Sequence, residues 1–153
     1  MIKLKPFRQS PALCGVASLK MTLEYFGVKK TEKELIKLTD ANQRYGTPIA
    51  GLLGAARKLG FRAFARDNAD FSDIKKYLDK KTPVIIDWFN KDDGHYSVVV
   101  RLDKKHICLM DPELADIRKL DRATFKRIWF DFPGDFMKRK NDVIIRRMIV
   151  IEP

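Results

Sequence analysis

The sequence predicts an α+β domain in which N-terminal helices pack on a C-terminal antiparallel β-sheet. Two observations carry that prediction. Apolar residues recur at helical spacing through the first half of the chain, between helix-capping signals. The second half is a succession of apolar runs of strand length separated by short polar turns. Helices followed by an antiparallel sheet define the α+β class. The 153 residues show no internal repeat, low-complexity stretch or linker, so residues 1–153 read as a single domain.

The elements follow in order. Val16, Leu19, Leu23 and Phe26 mark a helix from Cys14, and Gly27 supplies its stop. Thr31-Glu32-Lys33-Glu34 has the form of a capping box and opens a helix to about Leu38. Thr47 as N-cap and Pro48 in the first turn start a third helix, which carries Ile49, Leu52, Leu53, Ala56 and Leu59 and ends at Gly60. Phe61–Ala65 alternates like a short strand, and Ser72 caps a fourth helix running to about Leu78. Pro83–Phe89 is a buried strand ending in a charged turn. Tyr96–Leu102 and His106–Met110 flank a tight polar turn and form a hairpin. Asp121 caps a helix holding Phe125 and Trp129, and Val143–Ile151 is the closing strand.

Composition narrows the function. Hydrophobic residues make up 45% and charged residues 33%, as in an ordinary globular protein. No apolar run reaches the length of a membrane span, and MIKLKPFRQ lacks a signal-peptide core, so the expected location is cytoplasmic. The net charge of +11 favours acidic partners, but the basic residues fall in short clusters at turns and form no aromatic-interleaved stripe. Nucleic acid is therefore not the expected partner. Cys14 and Cys108 are the only cysteines, too few for a disulfide framework, and His106 with Cys108 lacks zinc-ligand spacing. No metal or cofactor is expected.

Four residues suggest chemistry. His95 sits where a glycine-containing turn enters an apolar strand, and Asp111 where a strand meets a proline turn. Each alone is an ordinary turn residue. They lie sixteen positions apart, with a strand, a turn and a strand between them. A hairpin returns the chain to the same end of the sheet, where one register puts both side chains on one face. A carboxylate there fixes the imidazole's tautomer and stabilises an imidazolium. Cys14, at a helix N-terminus that favours anions, supplies a nucleophile for such a base. Gln9 can offer an amide donor to a developing oxyanion, with a backbone N–H near Cys14 as the second donor. An inward-packed structural thiol also accounts for Cys14 at this level. Cys108, in the strand ICLM, faces away from Asp111 and is expected in the core. Trp88 is either a core aromatic or a wall of the cleft.

The run from Gln9 through Cys14-Gly15-Val16-Ala17-Ser18-Leu19-Lys20-Met21 to Tyr25-Phe26-Gly27 resembles the active-site helix of the bacteriocin-processing cysteine peptidases. Gly94-His95-Tyr96-Ser97-Val98-Val99-Val100 resembles their histidine motif, Asp111-Pro112 their acidic motif, and Phe125 and Trp129 the aromatic pair that often follows. The resemblance spans nearly the whole chain in the right order. It implies a papain-like fold and a thioester mechanism on a peptide or related amide bond. In it Cys14 would be the nucleophile, His95 the general base and acid, Asp111 the orienting carboxylate and Gln9 the oxyanion donor. Gln9 lies five residues before Cys14, one fewer than is usual in the family. The best-known relatives are parts of peptide exporters, whereas this chain has neither a membrane segment nor a P-loop, so their double-glycine leader substrate is not implied. The competing expectation is a non-catalytic module that keeps the fold and captures a peptide or an acidic partner in its cleft.

Overall fold

The computed structural model describes residues 1–153. Its strands are β1 (Arg62–Arg66), β2 (Val84–Asn90), β3 (Asp93–Leu102), β4 (His106–Asp111), β5 (Asp116–Asp121), β6 (Phe130–Asp131), β7 (Ile144–Ile145) and β8 (Arg147–Glu152). Six of them form one antiparallel sheet in the order β1-β8-β2-β3-β4-β5, and β6 and β7 pair separately. Helices α1 (Cys14–Tyr25), α2 (Glu32–Thr39) and α3 (Ile49–Lys58) build one side of the sheet. Helices α4 (Phe71–Asp79) and α5 (Arg122–Ile128) build the other.

The period-two alternation of the central strands explains the two layers. Ile85, Val98, Val100, Cys108, Met110, Ile149 and Ile151 pack with Val16, Leu19, Leu23, Leu35 and Leu52 under the N-terminal helices. Val84, Ile86, Val99, Leu109, Met148 and Val150 face the other way, against Ile74, Phe125 and Trp129. A strand buried on both faces cannot alternate apolar with polar residues, hence the unbroken runs PVII, SVVV and MIVI. The α1 helix lies deepest. Its residues from Gly15 to Leu19 are all buried, as a helix that is apolar around its circumference must be.

Local chemistry sets the ends of the elements. Thr31 and Glu34 close the capping box reciprocally, at 3.1 and 2.8 Å. Gly27 ends α1 with φ +87°, a conformation that costs a glycine nothing. The third helix starts one residue later than expected. Pro48 is the N-cap and Thr47 makes no capping bond, because Thr47 is buried against Gly15 of α1. The fourth helix starts earlier, with Asp70 rather than Ser72 at its N-cap. The Asp73 carboxylate reaches back to the Asp70 N–H at 2.9 Å and fixes that start. Asp121 caps α5 as expected, accepting from the N–H groups of Ala123 and Thr124. Trp129 lies just past that helix, its indole donating to the Arg147 carbonyl at 3.0 Å.

Two sheet features depart from expectation. The closing strand is broken at Arg146, whose φ of 47° lets Ile144–Ile145 pair with β6 while Arg147–Glu152 enters between β1 and β2. The β5 strand, DIRKLD, was not expected at all. It is the sheet edge, with Asp116, Lys119 and Asp121 exposed and Ile117, Arg118 and Leu120 half-buried.

Candidate active site

Cys14 is the first residue of α1, at the mouth of a cleft of about 720 Å³ that His95 and Gln9 also line. The approach to the helix is held firmly. Ser10 bonds through its N–H and hydroxyl to the Glu32 carboxylate, and Ala12 adopts φ 63°. Gly15 follows because α1 runs hard against its neighbours. A Cβ at this position would stand 2.6 Å from Thr47 Cβ and 3.0 Å from Tyr96 Cδ2. That proximity brings the Tyr96 N–H of β3 to 3.4 Å from Cys14 Sγ.

His95 lies in β3 opposite Trp88 of β2, whose ring meets the imidazole edge-on with centroids 5.6 Å apart. The β3–β4 register pairs Val98 with Met110, so Asp111 stands one step beyond, on the face that carries His95. The expected hairpin contact is present. His95 Nε2 is 2.8 Å from Asp111 Oδ1. Asp111 is completely buried and fully engaged, its Oδ1 also accepting from the Glu113 N–H at 2.9 Å and its Oδ2 from Arg118 Nε at 2.6 Å.

Electrostatics follow from these contacts. Burial alone would lower the His95 pKa, but hydrogen bonds to Asp111 and Cys14, and the negative charge on both, push it from 6.5 up to about 9. Burial would likewise raise the Asp111 carboxyl. The bond and charge of His95, then the Glu113 N–H and Arg118, hold it below its ordinary value. The pair therefore favours an imidazolium beside a carboxylate at neutral pH.

Of the residues singled out in the sequence, Cys14, His95 and Asp111 come together in one chain of contacts. Gln9 reaches the cleft but is differently engaged. Its backbone N–H donates to the Pro112 carbonyl at 2.9 Å, its side-chain amide donates to the Ser10 carbonyl at 3.3 Å, and its Oε1 is buried without a partner. Cys108 packs in the core, 6% exposed. Trp88 is a core aromatic that touches the site through its contact with His95, and its indole donates to Ser97 Oγ at 3.1 Å. Arg118 escaped the sequence reading because it belongs to the unexpected β5 strand. It clamps Asp111 and lies over the Trp88 ring at 5.6 Å. His95, Asp111 and Glu113 place ligand-type atoms within 4.8 Å of one another. Arg118 already occupies Asp111 and approaches Glu113 at 3.7 Å, which makes the group an ion-pair network.

The family model described as the peptidase C39 family matches residues 7–132. An uncharacterized protein of Methanothermobacter thermautotrophicus is 32% identical over 116 residues, which are 76% of this chain and 75% of that protein. The pediocin PA-1 transport/processing ATP-binding protein PedD of Pediococcus acidilactici is 30% identical over 118 residues, 76% of this chain but 16% of that much longer protein. Among solved structures, the peptidase domain of Streptococcus ComA, a bifunctional ABC transporter of a quorum-sensing pathway, superposes with a TM-score of 0.77. It shows 24% identity and covers 100% of this chain and 99% of that one. A double-glycine-motif protease from an AMS/PCAT transporter, solved with its leader peptide, gives a TM-score of 0.73 at 21% identity, over 99% and 93% of the two chains. The fold is thus the papain-like α+β arrangement of these peptidase domains, and no helix of this chain is long and apolar enough to cross a membrane. The chain belongs to the peptidase C39 family.

Proposed function

We propose that the protein hydrolyses peptide bonds by covalent catalysis at Cys14. The observation that carries this reading is the continuous line from the helix N-terminus at Cys14, through the His95 imidazole, to a fully buried and triply bonded Asp111. With Nε2 committed to Asp111, the imidazole offers Nδ1 to the thiol. In the proposed cycle His95 carries the Cys14 proton as an imidazolium, and the Cys14 sulfur attacks the scissile carbonyl. First-turn N–H groups of α1, with the Gln9 amide swung away from the Ser10 carbonyl, hold the oxyanion. His95 then protonates the departing amine, and water, activated by the same imidazole, hydrolyses the thioester. The leader peptide bound by the AMS/PCAT protease supports a peptide as the substrate class here.

The test is to incubate the full chain with a mixed peptide library and read the new termini by mass spectrometry. Cleavage is expected in the wild type, with losses of at least about 10³-fold in Cys14→Ala. Gln9→Ala should lower kcat by roughly 10²-fold, as for loss of one oxyanion donor. Cleavage that survives in Cys14→Ala overturns the proposal. Unchanged kcat in Gln9→Ala removes that residue from the oxyanion site.

A further inference from the structure

Trp88 of β2, His95 of β3, Asp111 of β4 and Arg118 of β5 stand on one face of the sheet, in a row across four neighbouring strands. Trp88 pairs directly with His95. Arg118 pairs with Leu109 and so lies diagonal to Asp111, within reach of a long side chain. Contacts close the row into a ring. His95 Nε2 is 2.8 Å from Asp111 Oδ1, and Arg118 Nε donates to Asp111 Oδ2 at 2.6 Å. The Arg118 guanidinium lies 5.6 Å over the Trp88 ring, which in turn meets the imidazole edge-on. Arg118 therefore touches both of the groups that hold His95.

The backbone around Asp111 does not depend on this arginine. The Ala115 N–H donates to the Asp111 carbonyl at 2.8 Å, and the Gln9 N–H to the Pro112 carbonyl at 2.9 Å. Arg8 forks onto the carbonyls of Glu113 and Leu114 at 2.7 and 2.9 Å. The β5 strand is paired with β4 along its whole length. What Arg118 adds is a hold on the Asp111 side chain. That carboxylate is completely buried, and Arg118 is the one hydrogen-bond partner of its Oδ2. Without the arginine, Oδ2 would be a buried, charged oxygen with no donor. The carboxyl would then take up a proton or turn toward another donor, and either change weakens its grip on the imidazole.

We propose that Arg118 is a positioning residue of the site, fixing the Asp111 carboxylate and, with Trp88, the plane of the His95 ring, so that Nδ1 faces Cys14. Arg118 does not line the cleft, so it acts through these two neighbours and not on the bound peptide. The proposal rests on the reading of Cys14, His95 and Asp111 as the reacting groups.

The test compares Arg118→Gln and Arg118→Lys in the full chain, alone and combined with Asp111→Asn, with folding checked by circular dichroism. On a peptide that the wild type cleaves, Arg118→Gln should lower kcat at least about tenfold and leave KM within about twofold. Arg118→Lys, which keeps a charged donor, should restore kcat to within about fivefold of the wild type. In the Asp111→Asn background, Arg118→Gln should cost less than about twofold, because the carboxylate through which it acts is gone. Iodoacetamide labelling of Cys14 at neutral pH gives the same cycle without a peptide. It should be at least about fivefold slower in Arg118→Gln, but insensitive to that change in Asp111→Asn. Equal losses in both backgrounds, or a folded Arg118→Gln with wild-type kcat and labelling rate, would overturn the proposal and leave the peptidase reading standing. Coupled labelling in a protein that cleaves no peptide would uphold Arg118 and sink the peptidase reading. Loss of the fold in both Arg118 variants would make the residue structural and overturn the proposal.

Discussion

Replacing Asp111 by asparagine tests the core of the site with little change in volume. The carboxylate accepts on both oxygens: Oδ1 from His95 Nε2 and the Glu113 N–H, and Oδ2 from Arg118 Nε. An amide has one acceptor oxygen, so its NH₂ must meet a donor on one side or the other. Either orientation also removes the negative charge that favours the imidazolium. The rise of His95 from 6.5 to about 9 corresponds to about 3 kcal/mol of preference for the protonated ring. Burial opposes that rise, so the bonds and charges of Asp111 and Cys14 supply more than the whole of it. Asp111→Asn should therefore lower the His95 pKa by at least about one pH unit, or about 1.4 kcal/mol. NMR titration of the imidazole in a His106→Gln background, where His95 is the remaining histidine, measures this directly. The same linkage acts on stability. The native state holds the His95 proton more tightly than the unfolded chain does. Its contribution is thus complete below 6.5 and is lost as the pH rises through about 9. Urea unfolding of the wild type should weaken across that window, and the variant's profile should be flatter. A His95 that still titrates near 9 with asparagine at position 111 would show that the Asp111 carboxylate does not hold the imidazolium.

Two further outcomes follow from the geometry. Iodoacetamide at neutral pH should modify Cys14 faster than the core residue Cys108, and His95→Ala should slow that reaction. Equal, slow labelling of both thiols in peptide-resolved mass spectrometry would contradict it. Gly15→Ala should lower stability by roughly 1–3 kcal/mol in urea unfolding, because its methyl would overlap Thr47, and an unchanged midpoint would show that Thr47 yields freely.

Legibility in the sequence followed the strength of local signals. The capping box at Thr31 and the glycine stop at Gly27 are short-range chemistry, and both stand where expected. The approach of His95 to Asp111 was legible because a hairpin converts sixteen residues of separation into adjacency. The β5 strand was hidden because an edge strand is half solvated, so DIRKLD carries too few apolar residues to read as one. With it went Arg118, the clamp on Asp111. The break at Arg146 depends on a left-handed backbone at a residue that seldom adopts it, and no composition rule marks that. Asp87 and Asp131 illustrate the remaining limit. One lies in an apolar strand and the other in a two-residue strand far along the chain, and only tertiary packing brings their carboxyls together.

In the proposed mechanism Cys14 forms a covalent acyl intermediate under the control of His95. Acid-quenched intact-mass spectrometry, after brief mixing of the protein with a peptide ester, measures that intermediate directly. The expected result is a mass increase equal to the acyl group, mapped to Cys14, absent in Cys14→Ala and much reduced in His95→Ala. An adduct on any other residue, or one that forms equally without His95, would contradict it.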